Sequence, residues 1–211
     1  MAIIDKRACL AQLQGATLEL GCGGRKRHPE AIGIDVLDDE CVDIVGDVYE
    51  VLEQVPEASV KAVYSYHFFE HVTNLPRLMD LLARVIEPDG FLSVVVPHFS
   101  NPYFYSDYTH RGFFGLYSFS YLVSDSIHRR RVPTYGREVW FELLRAELIF
   151  KSSPPFYVRY AFKKILQIVF NLNRYTRELY EENFCYLLPC YEIRFEMRRT
   201  GTWAATKPPP H

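Results

Sequence analysis

Over about the first 100 residues, short apolar runs alternate with polar or helix-like intervals, and the runs at 17–20, 31–35, 42–45, 62–66 and 91–96 have the length and β-branched content of strands. Between the last two, Leu75, Leu78, Met79, Leu82, Val85 and Ile86 recur at the spacing of one helix face, which predicts a helix over 75–86. Pro88-Asp89-Gly90 then stops the helix and turns the chain into the next strand. Strands separated by crossovers predict an α/β domain built on a parallel sheet.

Beyond Pro97 the pattern changes. An aromatic loop bearing His and Asp spans 98–111, a helix is predicted around 116–124, and a basic loop follows at 128–137. A further strand is predicted at 140–150, then an amphipathic helical stretch at 156–183, with a break near Asn171-Leu172-Asn173 that would divide it into two helices. In 191–199, Ile193, Phe195 and Met197 alternate with Glu192, Arg194, Glu196 and Arg198, the pattern of a strand with one apolar and one charged face. Residues 206–211, with three consecutive prolines, read as an unstructured tail. We therefore expect one domain over 1–205: a core over 1–110, a second part with a helical insertion over 111–190, and a last strand over 191–199. No internal repeat is visible.

Composition narrows the function classes. Apolar residues at 48% and charged residues at 24% are the balance of a globular chain. A net charge of -2 lacks the basic footprint of a nucleic-acid binder, so nucleic acid is not expected as a partner. Five cysteines with no C-x-x-C pair suggest neither a disulfide framework nor a zinc knuckle, and a reducing compartment fits them. With no signal-peptide core and no membrane-length apolar run, a cytoplasmic protein is expected. The 15 Tyr and 15 Phe crowd the second half, as core or as the wall of a binding site.

The candidate chemistry begins at Glu19-Leu20-Gly21-Cys22-Gly23-Gly24, where the first strand ends in glycines that let backbone approach a ligand. The second strand ends in Asp35, placed to accept the hydroxyls of a ribose, and Asp47 follows the third in Val45-Gly46-Asp47. A dinucleotide site is the competing reading. It requires a third glycine opening a long helix, whereas Lys26 holds that position and Pro29 leaves room for barely one turn. A nucleoside ligand without phosphate needs no such helix.

Taken in order, Leu18–Gly23, Gly33-Ile34-Asp35, Val45-Gly46-Asp47, His67-Phe68-Phe69-Glu70-His71-Val72 and Glu87-Pro88-Asp89-Gly90 resemble the successive motifs of class I S-adenosylmethionine-dependent methyltransferases of the type 11 group. The resemblance covers about residues 15–125. It implies a Rossmann-like, doubly wound, mostly parallel seven-stranded sheet with an antiparallel last strand and a helical insertion before it. It also implies S-adenosyl-L-methionine as cofactor and S-adenosyl-L-homocysteine as product. Glu19, Gly21, Cys22 and Gly23 would face the methionine part, Asp35 and Val36 the ribose side, Asp47 and Val48 the adenine, and Tyr66 and His67 the adjoining wall. The short basic run Arg25-Lys26-Arg27-His28 replaces the first long crossover helix and is similar to a subgroup found with bacterial surface-polysaccharide biosynthesis.

Methyl transfer to a hydroxyl needs an oriented acceptor and a base. In this fold the active site lies beyond the carboxyl ends of the strands, where the loop 98–110 collects such groups. Asp107-Tyr108-Thr109-His110 resembles an Asp-Pro-Thr-His element of the same polysaccharide-associated enzymes. His110 or His98 is expected as the general base, with Asp107 orienting a ring or the acceptor; tying the loop down is the alternative for all three. No spacing is diagnostic of a metal, and none is expected. The expected acceptor is a sugar hydroxyl on a polymeric or lipid-linked glycan; the alternatives are methylation of a small metabolite or protein side chain, or a non-catalytic nucleoside-binding scaffold. Arg129-Arg130-Arg131 and Arg137 could receive an acidic sugar or simply be a solvated charge run. The helical stretch around 160–169 is expected to cover the sheet, with peripheral membrane contact or a homodimer interface as its other readings.

Overall fold

The computed structural model describes residues 2–152 and 154–201. The expected tail at 206–211 lies outside them. Nine strands form one sheet: β1 (Ile4–Asp5), β2 (Ala16–Leu20), β3 (Ile32–Asp35), β4 (Ile44–Val45), β5 (Val60–Tyr66), β6 (Ile86–Pro97), β7 (Ser124–Asp125), β8 (Phe141–Ile149) and β9 (Glu192–Arg199). Their order is β1-β4-β3-β2-β5-β6-β9-β8-β7. The run from β4 to β6 is parallel, and β9 lies antiparallel between β6 and β8. The α/β class and the antiparallel last strand are as expected. Nine strands rather than seven arise because two-residue strands β1 and β7 extend the edges.

Four helices accompany the sheet: α1 (Val48–Gln54), α2 (Leu75–Val85), α3 (Tyr157–Phe170) and α4 (Arg174–Asn183). The break near Asn171 falls where the sequence places it, and Asn173 caps α4 in a reciprocal bond with Thr176. The helix expected around 116–124 is only a 3-10 turn, Phe119–Tyr121.

One face of the sheet holds the core. Leu92, Val94 and Val96 of β6 stand opposite Met197, Phe195 and Ile193 of β9, and all are buried with Leu18, Leu20, Ile34 and the inner faces of α1 and α2. The other face is clothed differently. The connections at 21–31 and 36–43 contain no helix. His28 instead stacks on Tyr64 at 3.8 Å, and the Arg27 guanidinium lies 4.2 Å from the Tyr66 ring centroid. Farther along, Arg198 pairs with Glu142 at 2.7 Å and Arg194 with Glu147 at 3.5 Å across neighbouring strands. Cross-strand ion pairs of this kind suit a solvent-facing sheet surface.

α3 departs from expectation. Gln167 and Asn171 reach the free edge of β8, where Asn171 Oδ1 accepts from Leu148 N–H at 2.9 Å and its Nδ2 donates to Leu148 O at 2.8 Å. Gln167 Oε1 accepts from Phe150 N–H at 3.2 Å. The helix therefore satisfies an open strand edge with its amide side chains, and its apolar stripe is not laid on the sheet.

Candidate active site

The carboxyl ends of β2, β3, β4, β5 and β6 point to one rim, and the expected residues sit there because each follows a strand end. Gly21 takes φ 66° and Gly23 φ 52°, left-handed conformations that favour glycine. A Cβ on Gly21 would lie 2.4 Å from Phe68 Cβ, so the loop and the segment after β5 are fitted closely together. Asp35 Oδ2 accepts from Gly23 N–H at 2.8 Å and its Oδ1 from Leu37 N–H at 2.9 Å, which locks the glycine turn to the tip of β3. Just beyond it Val36 and Leu37 are 55% and 62% exposed and form an apolar ledge on the rim. Asp47 caps α1, accepting from Tyr49 N–H and Glu50 N–H through Oδ1 at 2.9 and 3.3 Å, while Val48 is buried in the core.

Glu19 is buried at 2% exposure and accepts from Arg27 N–H and His28 N–H at 2.8–3.0 Å. Its carboxylate shapes the loop 25–28. Burial pushes the Cys22 thiol up to about 12, which makes it an inert wall residue. Lys26 is committed to Asp43 at 2.7 Å. The cradle therefore has glycines, a carboxylate at the tip of β3 and an apolar ledge. The Gly23 N–H is already used by Asp35 and no helix N-terminus follows, so these residues fit a nucleoside without phosphate and do not fit a pyrophosphate.

Tyr66 donates to or accepts from His28 Nε2 at 2.8 Å, and burial raises its phenol pKa. His67 has φ 57° and lies between Glu192, 2.9 Å from Nε2, and Glu70, 3.4 Å from Nδ1. Burial opposes its charge, but the two carboxylates outweigh burial and raise the pKa to about 9. Glu192, also paired with Lys151, was not singled out by sequence because its strand alternation assigns it to the solvent face; it is buried.

The expected bases separate. His98 is fully buried: Nδ1 accepts from Ser100 N–H at 3.1 Å, and Nε2 meets Glu181 at 3.2 Å. It ties the end of β6 to α4 and cannot reach an acceptor. His110 behaves differently. Its Nδ1 donates to Phe104 O at 2.8 Å, and its Nε2 faces Asp107 Oδ2 at 3.6 Å and Glu70 Oε1 at 4.0 Å. Arg111 and Gly112 N–H both donate to Glu70 O, at 2.7 and 3.0 Å, clamping this loop to the segment after β5. Thr109 Oγ1 donates to Asp107 Oδ1 at 2.6 Å and lies 3.0 Å from His71 Nδ1. The Thr109 hydroxyl and the Thr109 N–H, which donates to the same Asp107 oxygen at 2.9 Å, together hold the Asp107 carboxyl below its ordinary value.

Glu70 and His71 belong to the motif 67–72 that follows β5. Glu70 is completely buried, and neither carboxylate oxygen accepts a hydrogen bond. Glu70, His71 and His110 offer donor atoms within 4.8 Å of one another, a set able to hold a metal ion. In the basic loop the backbone N–H groups of Arg129 and Arg130 donate to Glu178 while both residues stay exposed, and Arg137 pairs with Asp80 at 2.6 Å.

Residues 18–94 match the family model described as a methyltransferase domain. The chain is an S-adenosylmethionine-dependent methyltransferase. No curated protein matches it. Among solved structures it is similar to an S-adenosylmethionine-dependent methyltransferase from Archaeoglobus fulgidus, at 16% identity over 92% of this chain and 90% of that one, with a TM-score of 0.53. A Bacillus halodurans protein assigned, without proof of activity, as a methyltransferase shares 18% identity over 92% and 98% of the two chains, with a TM-score of 0.51. At these identities the structural likenesses establish the fold alone. Among the described residues no helix is long and apolar enough to cross a membrane.

Proposed function

We propose that this methyltransferase acts in the cytoplasm on a sugar hydroxyl of a polymeric or lipid-linked glycan, with His110 as general base. The arrangement of His110 carries the reading. The bond from Nδ1–H to the Phe104 carbonyl leaves Nε2 as the lone-pair nitrogen, and this side chain is only 10% exposed. A hydroxyl must lose a proton as it attacks, which a neutral imidazole can accept; an amine needs less help. Asp107, kept ionised by Thr109, stands beside Nε2 to stabilise the imidazolium that forms.

S-adenosylmethionine supplies the electrophilic methyl group when bound. Asp35 would hold its ribose, Val36 and Leu37 would flank the adenine, and the turn at Gly21–Gly23 would admit the methionine part. Around His110, Phe104 packs at 4.6 Å and Phe113 lies 4.9 Å from Phe104, with Tyr103, Tyr105 and Tyr108 exposed beside them. Such an aromatic rim suits the apolar face of a pyranose, which stacks while its hydroxyls remain available.

The test is formation of S-adenosylhomocysteine with a panel of glycosides, sugar nucleotides and planar metabolites. Turnover is expected with sugar hydroxyls, and His110→Ala should lower kcat by about 10²–10⁴-fold with cofactor affinity unchanged. Turnover confined to planar metabolites, or full activity in His110→Ala, would contradict the proposal.

A further inference from the structure

α3 is amphipathic in the inverse sense. Val158, Phe162, Ile165, Ile168, Val169 and Leu172 recur at helical spacing, and this stripe faces outward: Val158 is 87% exposed, Ile165 58% and Ile168 67%. The polar positions face inward. Gln167 and Asn171 bond to the β8 edge, Lys163 Nζ donates to Lys151 O at 2.8 Å, and Phe170 is the one buried residue of the helix. A soluble surface helix does the reverse, because a continuous exposed apolar stripe loses the favourable transfer of that surface out of water.

The charge around the stripe indicates what covers it. From position 151 to 177 the sequence has six basic residues and no Asp or Glu. Among the described residues Arg159, Lys164 and Arg174 form no ion pair with a carboxylate. Arg159 lies 4.1 Å from the centroid of Phe156 and Lys164 5.3 Å from that of Tyr160, so these cations border the stripe on stems that run along apolar surface. We propose that α3 is an interfacial helix that docks the enzyme on an anionic lipid bilayer. An apolar stripe flanked by aromatics and unpaired cations matches acyl chains below and anionic headgroups beside them. A second copy fits less well, since apposed stripes would bring together six unpaired cations, three from each copy, with no acidic partner.

Docking extends the acceptor reading by placing the enzyme where a lipid-linked glycan is presented, and it can be measured without any acceptor. The full-length protein with S-adenosylmethionine is sedimented with vesicles of phosphatidylcholine alone or mixed with phosphatidylglycerol. Binding to the mixed vesicles is expected, weaker binding to phosphatidylcholine, and release on raising salt as screening grows. Ile165→Glu with Ile168→Glu should cut the bound fraction about tenfold or more while circular dichroism and cofactor affinity stay unchanged. Lys164→Glu with Arg174→Glu should abolish the preference for phosphatidylglycerol. Absence of binding to any vesicle, equal binding to both, or a dimer on size exclusion that the isoleucine variant dissociates would overturn the proposal. None of these results bears on sugar methylation, which the acceptor panel tests separately.

Discussion

Gly21→Ala probes the close fit between the glycine turn and the segment after β5. At φ 66° an alanine pays the left-handed penalty of about 1–2 kcal/mol. Its Cβ would also sit 2.4 Å from Phe68 Cβ, well inside contact distance, and overpacking of this kind costs about 1–3 kcal/mol. The sum is about 2–5 kcal/mol. For a domain of this size each kcal/mol moves Tm by about 2–4 °C, so the midpoint should fall by at least about 4 °C. The two contributions can be separated. In a Phe68→Gly background, which removes the Cβ as well as the ring, the overlap is gone and only the backbone penalty remains, so the cost of Gly21→Ala should shrink to about 1–2 kcal/mol. Urea unfolding of the four proteins supplies the cycle. A cost below about 0.5 kcal/mol, or the same cost in both backgrounds, would refute the reasoning.

Three further outcomes follow from the same geometry. His98→Ala should lower stability by about 2 kcal/mol, because it empties a fully buried site and removes the ring's contacts with Glu181 and Ser100, yet leave kcat within a few-fold; urea unfolding with a turnover assay checks both. Asp125 is held at about 2: burial opposes its charge, but His128 at 2.8 Å and the Ser120 hydroxyl outweigh burial. Its folded pKa is depressed, so its contribution is complete above pH 4 and lost as pH falls through about 2; Asp125→Asn should lose about 2 kcal/mol at pH 7 and show a flatter stability profile between these limits. With His110 as base, chelation by EDTA should leave turnover unchanged, and a loss restored by a divalent cation would reassign Glu70, His71 and His110 as ligands.

Much of the molecule was legible because two periodicities dominate it. Each strand from β2 to β6 and the helix α2 announces itself by apolar spacing, and the site residues follow from strand ends in a parallel sheet. The strands β1 and β7 are too short to establish a period. α1 carried a readable signal in Asp47, whose Oδ1 caps the helix. Periodicity located the apolar stripe of α3 but could not give its direction, because that depends on Gln167 and Asn171 meeting an open edge of β8. The burial of Glu192 was hidden for a related reason. Its partner His67 is 125 residues away, and local alternation cannot register a neutralising contact of that range.

The role of the Asp35-locked glycine turn can be measured directly by calorimetric titration with S-adenosylmethionine. Saturable one-to-one binding is predicted for the wild-type protein, weakened at least about tenfold in Asp35→Ala, since a carboxylate hydrogen-bonded to ribose hydroxyls is worth about 1.5–3 kcal/mol. A folded wild-type protein that takes up no cofactor, or an Asp35→Ala variant that binds it as well as wild type, would contradict this account of the site.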